Sequence, residues 1–154
     1  MTDFNILRKR YSEVLCGRGH SGKRTADCIL RSDERTEQRL AQLDTRIEKA
    51  ITSNEPGIVN ATLKGILDIS TSFSQNNSRF YHDENIKNKI FNALNALEKV
   101  YNDTIAPQGN WWYWEIGIPL SLNSIFTLMY DYADKSQLKR YMAAERHFND
   151  RIKL

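Results

Sequence analysis

The sequence has little of the residues that build turn-rich or disulfide-stapled folds. Only three prolines and seven glycines occur in 154 residues, which disfavours a β fold with many tight turns. Two cysteines, Cys16 and Cys28, are too few for a disulfide-rich scaffold. They leave two alternatives open, one disulfide across the segment between them or two thiols. No apolar run approaches the roughly 18 residues of a membrane-spanning helix, so no membrane partner is predicted.

A strong charge of one sign is also missing. The formal net charge is +3 and the isoelectric point is near 8.9, which is only mildly basic. The basic residues are dispersed, and none lies between Asp103 and Lys135. Because nucleic-acid binding needs a clustered basic surface, no nucleic-acid partner is predicted.

The sequence also lacks the side-chain clusters that bind metals or phosphates. His20, His82 and His147 lie far apart and form no metal-ligand pair. The segment 17–23 has the glycine spacing of a phosphate-binding loop, but Arg24 stands where a hydroxyl residue is needed and no strand precedes it. The carboxylates form no acid–base pair. We therefore expect a solvated basic loop there, with no metal site, cofactor or catalytic residue in this chain.

What the sequence does have is helical periodicity nearly throughout. Apolar residues recur at spacings of three and four, and no strand-period segment of useful length occurs, which predicts an all-α fold. Six helices are predicted, and the segment 17–31 is predicted to be a loop. The first helix spans 3–15, the second is capped by Ser32 or Asp33, and the third follows Pro56. The fourth is capped by Asp83, the fifth starts at Gly117 or Pro119, and the sixth starts with a capping box of Asp134 and Gln137. Short turns between helices indicate antiparallel hairpins.

The fifth helix is apolar on more than one face, as its residues Leu120, Leu122 and Ile125 illustrate. A helix that is apolar nearly all round needs neighbours on both sides, and only the sixth helix follows it. The face left open predicts possible self-association. It also supports one alternative function, an all-helical protein-interaction module.

The most unusual segment is 110–119, Asn-Trp-Trp-Tyr-Trp-Glu-Ile-Gly-Ile-Pro, which contains all three tryptophans. Adjacent rings point in several directions, so Trp111, Trp112 and Trp114 cannot all face a core. Sugar rings present apolar C–H faces that lie well on indoles, whereas nucleic-acid sites interleave aromatic residues with Lys and Arg. Asn110 adds a neutral donor and acceptor. This favours a sugar-binding platform, although wedge residues that lock a loop onto helix ends remain the alternative.

The same segment resembles the N-terminal α-domain of family 8 polysaccharide lyases, which include hyaluronate, chondroitin AC and xanthan lyases. Residues 110–112 and 114–119 match the family pattern, and Tyr113 stands where the family prefers an acid. Residues 122–123 and 128–131 resemble the continuation of the family pattern, and residues 7–11 with 15–17 resemble its first helix. The resemblance therefore covers the whole chain, while only the motif at 110–119 is highly specific.

This resemblance implies a single all-α domain over 1–154, in which helical hairpins form part of an incomplete (α/α) toroid around a glycan cleft. By the same resemblance, Trp111 and Trp112 contact the substrate with Asn110 beside them. Trp114 and Glu115 would brace the start of the helix. The implied partner is an anionic polysaccharide of the glycosaminoglycan or xanthan type.

The reaction of the family is β-elimination at a uronic acid. It relies on Asn, His and Tyr residues from later helices, and these motifs and the family's β-sandwich domains are expected beyond Leu154. We therefore expect this chain alone to bind glycan weakly and not to cleave it. The family implies a secreted or cell-surface bacterial parent, although residues 1–5 show no signal peptide.

Overall fold

The computed structural model describes residues 2–17 and 26–150, and this part of the chain is helical without a strand. Its α-helices are α1 (Asp3–Leu15), α2 (Ala26–Ser53), α3 (Pro56–Ser74), α4 (Glu84–Leu97), α5 (Ile118–Met129) and α6 (Lys135–Asn149). A π-helical turn, Tyr113–Gly117, leads directly into α5. The all-α prediction is confirmed.

Several predicted helix ends are confirmed by their local chemistry. The carboxylate of Asp83 accepts hydrogen bonds from the backbone N–H groups of Asn85 and Ile86, at 2.8 and 3.1 Å, and so caps α4. Between α2 and α3, Asn54 has a positive φ of 53°. Pro56 begins α3, where its missing N–H costs nothing.

The capping box predicted for α6 is only half right. Asp134 caps the helix, because its carboxylate accepts the N–H of Ser136 at 3.0 Å. Gln137 does not reach back to Asp134. Its side chain is buried and donates to the side-chain oxygen of Asn95 on α4 at 2.7 Å. Tertiary packing against α4 therefore takes this residue away from the local cap.

The predicted start of α2 is wrong. The helix begins at Ala26, so residues 26–31 are helical and not loop, while residues 18–25 of the predicted basic loop lie outside the described residues. Asp33 does not cap it. Asp33 lies inside α2 with 5% of its surface exposed, and it accepts hydrogen bonds from the Ser78 hydroxyl at 2.6 Å and the Arg79 N–H at 3.0 Å. A residue type typical of helix caps is used here to hold a distant loop.

Helices α3 and α5 form the centre of the molecule. Helix α3 packs against α2, α4 and α5, while α1 lies along α5. The side chains of α3 and α5 are therefore buried over most of their surfaces. Fully buried members of this core are Leu63, Ile66, Ile69, Phe73, Ile118, Leu122, Ile125 and Met129.

Helix α5 keeps one uncovered position near its start. Leu120 is 60% exposed, whereas Leu122 and Ile125 are completely buried. Helix α1 contacts α5 through a hydrogen bond of Tyr11 with Ser124 at 3.1 Å, and Arg8 pairs with Asp131, just beyond the end of α5, at 3.1 Å. Nine of the twelve residues of α5 are buried, so the predicted open face is reduced to one exposed apolar residue, Leu120.

The two cysteines flank the part of the chain that is not described. Cys16 is buried directly after α1, and Cys28 lies half-buried in the first turn of α2. None of the described helices is long and apolar enough to cross a lipid bilayer.

Candidate functional site

The tryptophan segment begins with a capped helical turn. The side-chain oxygen of Asn110 accepts the N–H of Trp112 at 3.0 Å, and its backbone carbonyl accepts the N–H of Tyr113 at 3.3 Å. Gly109 precedes it with a φ of +69°, a left-handed conformation that glycine adopts without strain. Asn110 is exposed, and its side-chain amide also carries an NH₂ group that can donate hydrogen bonds.

The next turn is π-helical, which the sequence analysis did not predict. The N–H of Ile118 donates to the carbonyl of Tyr113, five residues earlier, where an α-helix would use the carbonyl four residues earlier. π-helical turns are rare and occur often at functional sites. The sequence contains no periodicity signal for one extra residue in a single turn.

Trp114 connects this turn to the core. Its side chain is 2% exposed, and its indole N–H donates to the carbonyl of Gln108 at 2.7 Å. The ring lies nearly parallel to Tyr101 at 6.1 Å and packs on Phe148 at 4.8 Å. Burial raises the pKa of Tyr101, so its hydroxyl stays protonated and donates to the Trp114 carbonyl at 3.2 Å. Both the ring and the backbone of Trp114 are thereby held in place.

Trp112 lies partly at the surface, flat against a glycine. A Cβ atom at Gly117 would be 2.6 Å from Cζ3 of the Trp112 ring, so only glycine permits this ring position. Tyr113 stands edge-on to the Trp112 ring, with centroids 5.4 Å apart, and Tyr113 itself packs over Gly57 at the start of α3. The Trp112 ring is therefore fixed on two sides, while 36% of its surface remains exposed.

Trp111 faces solvent with 59% of its surface exposed. Ile116 and Leu120 are also exposed. We call the four exposed apolar residues of this segment, Trp111, Trp112, Ile116 and Leu120, the apolar strip. The prediction that some rings of the segment face away from the core is confirmed, since two indoles are exposed and Trp114 is buried.

Two further predictions about this site stay open. Glu115 lies half-buried on the π-helical turn, and its bracing role stays a prediction. A groove of about 500 Å³ lies between α2 and α4, and two grooves of about 520 and 560 Å³ lie beside α1. The prediction that the tryptophans line a cleft also stays open. Among residues 2–17 and 26–150, no group of three or more His, Cys, Asp or Glu could hold a metal ion.

Three comparisons bear on this arrangement. The chain is 28% identical to a xanthan lyase of Bacillus sp. (strain GL1), over 99% of this chain and 18% of that protein. It is 24% identical to a hyaluronate lyase of Thermasporomyces composti, over 96% of this chain and 20% of that protein. A solved chondroitin AC lyase of Streptomyces coelicolor A3 superposes with a TM-score of 0.74 at 20% identity, covering 96% of this chain and 21% of that one.

The fold defines the class of protein: an all-α array of helical hairpins of the (α/α) toroid type, as predicted. The model of the polysaccharide lyase family 8 N-terminal alpha-helical domain matches residues 27–152. The chain therefore belongs to polysaccharide lyase family 8. It spans about a fifth of the length of the relatives that it matches.

Proposed function

We propose that this chain is the glycan-positioning N-terminal part of a lyase that cleaves uronic-acid-containing polysaccharides by β-elimination. The observation that carries the proposal is the pair of exposed indoles, Trp111 and Trp112, beside a turn that the buried Trp114 attaches to the core. The Trp112 ring is fixed by Gly117 and Tyr113. A ring that is fixed before binding loses little entropy when a sugar stacks on it. Asn110 supplies a hydrogen-bond donor beside the rings.

The names of the relatives support the substrate class: a xanthan lyase, a hyaluronate lyase and a chondroitin AC lyase solved in complex with chondroitin sulphate. Because these names span several polymers, the proposal extends to anionic polysaccharides as a class. Cleavage is not expected from this chain alone, since the resemblance places the Asn, His and Tyr of the reaction in later helices.

A titration of tryptophan fluorescence with hyaluronan, chondroitin sulfate and xanthan tests the proposal. We expect quenching by at least one polymer, and an affinity about tenfold weaker in Trp111→Ala because one stacked ring is lost. Leu120→Ala is the matched control. Leu120 is 60% exposed, like Trp111 at 59%, and belongs to the same apolar strip, so general hydrophobic adhesion would weaken in both variants.

Two results would contradict the proposal. If Trp111→Ala binds every polymer as tightly as the wild type, the indole does not position glycan. If ultraviolet absorbance of an unsaturated uronate rises in the same cuvette, the chain itself cleaves and the expectation of an inactive part is wrong.

The second candidate function is a protein-interaction module that associates through the apolar strip. The exposed Leu120 side chain supports it, because an uncovered leucine on a helix otherwise buried gains free energy when a partner covers it. Sedimentation separates the two candidates. Dimers that dissociate in Leu120→Glu, with no polymer binding, favour association, whereas a monomer that binds glycan favours the first proposal.

The location of the whole protein is also a proposal. Polysaccharides of this class are too large and too polar to enter a cell unaided, so we propose that the parent protein acts outside a bacterial cell or on its surface. Detection of the protein in the medium or on intact cells, after fractionation, tests this.

A further inference from the structure

A second cluster of exposed aromatic rings lies at the opposite end of α5. The Tyr81 ring stacks on His82 with centroids 3.9 Å apart and an interplanar angle of 20°. His82 and Tyr132 both contact Phe73, with centroid distances of 5.4 and 5.3 Å, and Phe73 is a core residue with 1% of its surface exposed. The exposed fractions are 42% for Tyr81 and 40% for Tyr132. These rings form a rigid surface anchored on the core.

The backbone of His82 is held in an unusual conformation. Its φ is +52°, in the left-handed region that costs a residue with a Cβ roughly 1–2 kcal/mol. Its N–H donates to the carbonyl of Phe73 at 3.0 Å, so the chain after α3 turns back onto the helix. Strained residues of this kind concentrate at binding sites, where the surrounding structure holds them.

The rings border a groove of about 520 Å³ between α1 and the ends of α3 and α5. Helix α1 contributes Asn5, Arg8 and Lys9 to its wall. Arg8 pairs with both carboxylate oxygens of Asp131, at 3.1 and 3.3 Å, and its Nε atom is buried without a hydrogen-bond partner among the described residues. The groove therefore combines ring faces with fixed polar groups.

The charges of this groove largely cancel. Asp131 compensates Arg8, and Glu13, which also lines the groove, lies one helical turn after Lys9. A groove with paired charges does not select a strongly anionic ligand. Its combination of exposed ring faces and hydrogen-bonding groups suits a ligand with an apolar face and many hydroxyls.

We propose that this groove is a second carbohydrate-binding site, which takes a neutral pyranose unit packed against both Tyr81 and Tyr132. The site goes beyond the proposed function, because it shares no residue with the tryptophan pair. Helix α5 separates the two sites. With twelve residues at 1.5 Å each, the helix is about 18 Å long. Contacts beyond both ends of this helix would hold a polymer more firmly than either contact alone.

The test is an NMR titration of the ¹⁵N-labelled chain with cellotetraose, a neutral oligosaccharide. We expect chemical-shift changes at the backbone amides of Tyr81, His82 and Tyr132. Tyr81→Ala should weaken this binding about tenfold, since one stacked ring is lost. Tyr132→Ala should weaken it similarly. This second variant keeps the test valid if Tyr81→Ala perturbs the loop that carries Tyr81.

Leu120→Ala is the control. Leu120 is 60% exposed, lies near the start of α5 and lines neither groove beside α1. We expect this variant to bind cellotetraose as the wild type does. Equal weakening in Leu120→Ala would show a general effect of losing an exposed apolar side chain and overturn the proposal.

The remaining outcomes are also decisive. Unchanged amides at Tyr81 and Tyr132, shifts that survive both alanine variants, or shifts produced by sodium sulfate but not by the sugar would each overturn the second site. The indole N–H signals of Trp111 and Trp112, followed in a parallel titration with a hyaluronan tetrasaccharide, report the first site separately. Failure of either proposal is thereby distinguished from failure of the other.

Discussion

At the scale of single residues, Gly117 determines where the Trp112 ring lies. The Trp112 ring occupies the space that a Cβ atom at Gly117 would need, and it is rigid on its other side through Tyr113. A methyl group there must push the ring outward, because the backbone of the turn packs on the core. The position of Trp112 thus depends on the absence of a side chain five residues later.

Gly117→Ala should therefore change the position of the Trp112 ring more than it changes the free energy of unfolding. Alanine gains up to about 1 kcal/mol in helical conformation, which offsets part of the clash with a ring that can swing into solvent. We expect a stability within about 1 kcal/mol of the wild type, a changed near-ultraviolet circular dichroism and weaker polymer binding. Gly65→Ala is the control, because its Cβ would lie 3.5 Å from Arg39 Cδ, an ordinary contact. Unchanged dichroism and affinity in Gly117→Ala would contradict the coupling.

Glu145 on α6 is a second residue whose surroundings determine its behaviour. Asn123 donates to one of its carboxylate oxygens at 3.3 Å, while the other oxygen, Oε1, is buried without a hydrogen-bond partner among the described residues. Burial raises the pKa of Glu145 from 4.5 to about 7. The carboxyl group is therefore largely protonated at pH values where an exposed glutamate is ionised.

The raised pKa predicts a loss of stability with rising pH. Between about pH 4.5 and 7 the unfolded chain releases this proton before the folded chain does, so the free energy of unfolding falls, and the penalty persists above pH 7. The site is partly open to solvent, so we expect a penalty of about 1–2 kcal/mol. In urea unfolding, Glu145→Gln should match the wild type near pH 4.5 and exceed its stability at pH 8. A difference independent of pH would contradict this.

At the scale of elements, α2 holds the connection between α3 and α4. The buried carboxylate of Asp33 binds the Ser78 hydroxyl and the Arg79 N–H, while Arg79 also pairs with Glu37 on the next turn of α2 at 2.7 Å. Hydrogen bonds to a buried carboxylate are stronger than neutral ones. The loop that carries Tyr81 is therefore positioned by a helix far from it in sequence.

Asp33→Ala should release this loop. It leaves the buried Ser78 hydroxyl and the Arg79 N–H without an acceptor, which costs about 2–3 kcal/mol in the free energy of unfolding. Glu34→Ala, at the exposed neighbouring position on α2, should change stability by less than about 0.5 kcal/mol. Thermal unfolding of the two variants measures both values. A similar, small effect in both would show that the carboxylate of Asp33 does not stabilise the loop.

At the scale of the whole molecule, the core is concentrated in α3 and α5, and α1 is peripheral. No residue of α1 is buried, and Phe4 and Leu7 are 56% and 65% exposed. The helix is attached through the Arg8–Asp131 ion pair and a hydrogen bond between Tyr11 and Ser124 at 3.1 Å. Such contacts contribute little compared with the burial of apolar surface.

Hydrogen exchange should reveal this difference between the helices. Local opening of α1 exposes little apolar surface, so its amides should exchange at least about tenfold faster than those of α3, which open only when the core unfolds. Mass spectrometry of peptides from α1, α3 and α5 during exchange in deuterated buffer measures the rates. Equal protection of α1 and α3 would show that α1 unfolds together with the core.

The sequence by itself determined the helical architecture and the family. Apolar spacing of three and four and the cap at Asp83 report interactions between near neighbours, which the local order of residues encodes directly. The helix over 3–15 and the exposure of some rings in 110–119 followed from such patterns. The motif at 110–119 pointed to family 8 because its rings, glycine and proline occur together in one segment.

Only the tertiary structure decided the roles of the two residues that were wrongly predicted to be parts of helix caps. Asp33 and Gln137 are residue types common at helix caps, yet both are buried against partners more than forty positions away in sequence. Tyr81 and Tyr132 of the second aromatic cluster line one groove with residues of α1, and the Arg8–Asp131 pair beside it spans 123 positions. Local patterns carry no information about such pairs, because their distance depends on how the helices pack and not on their spacing along the chain.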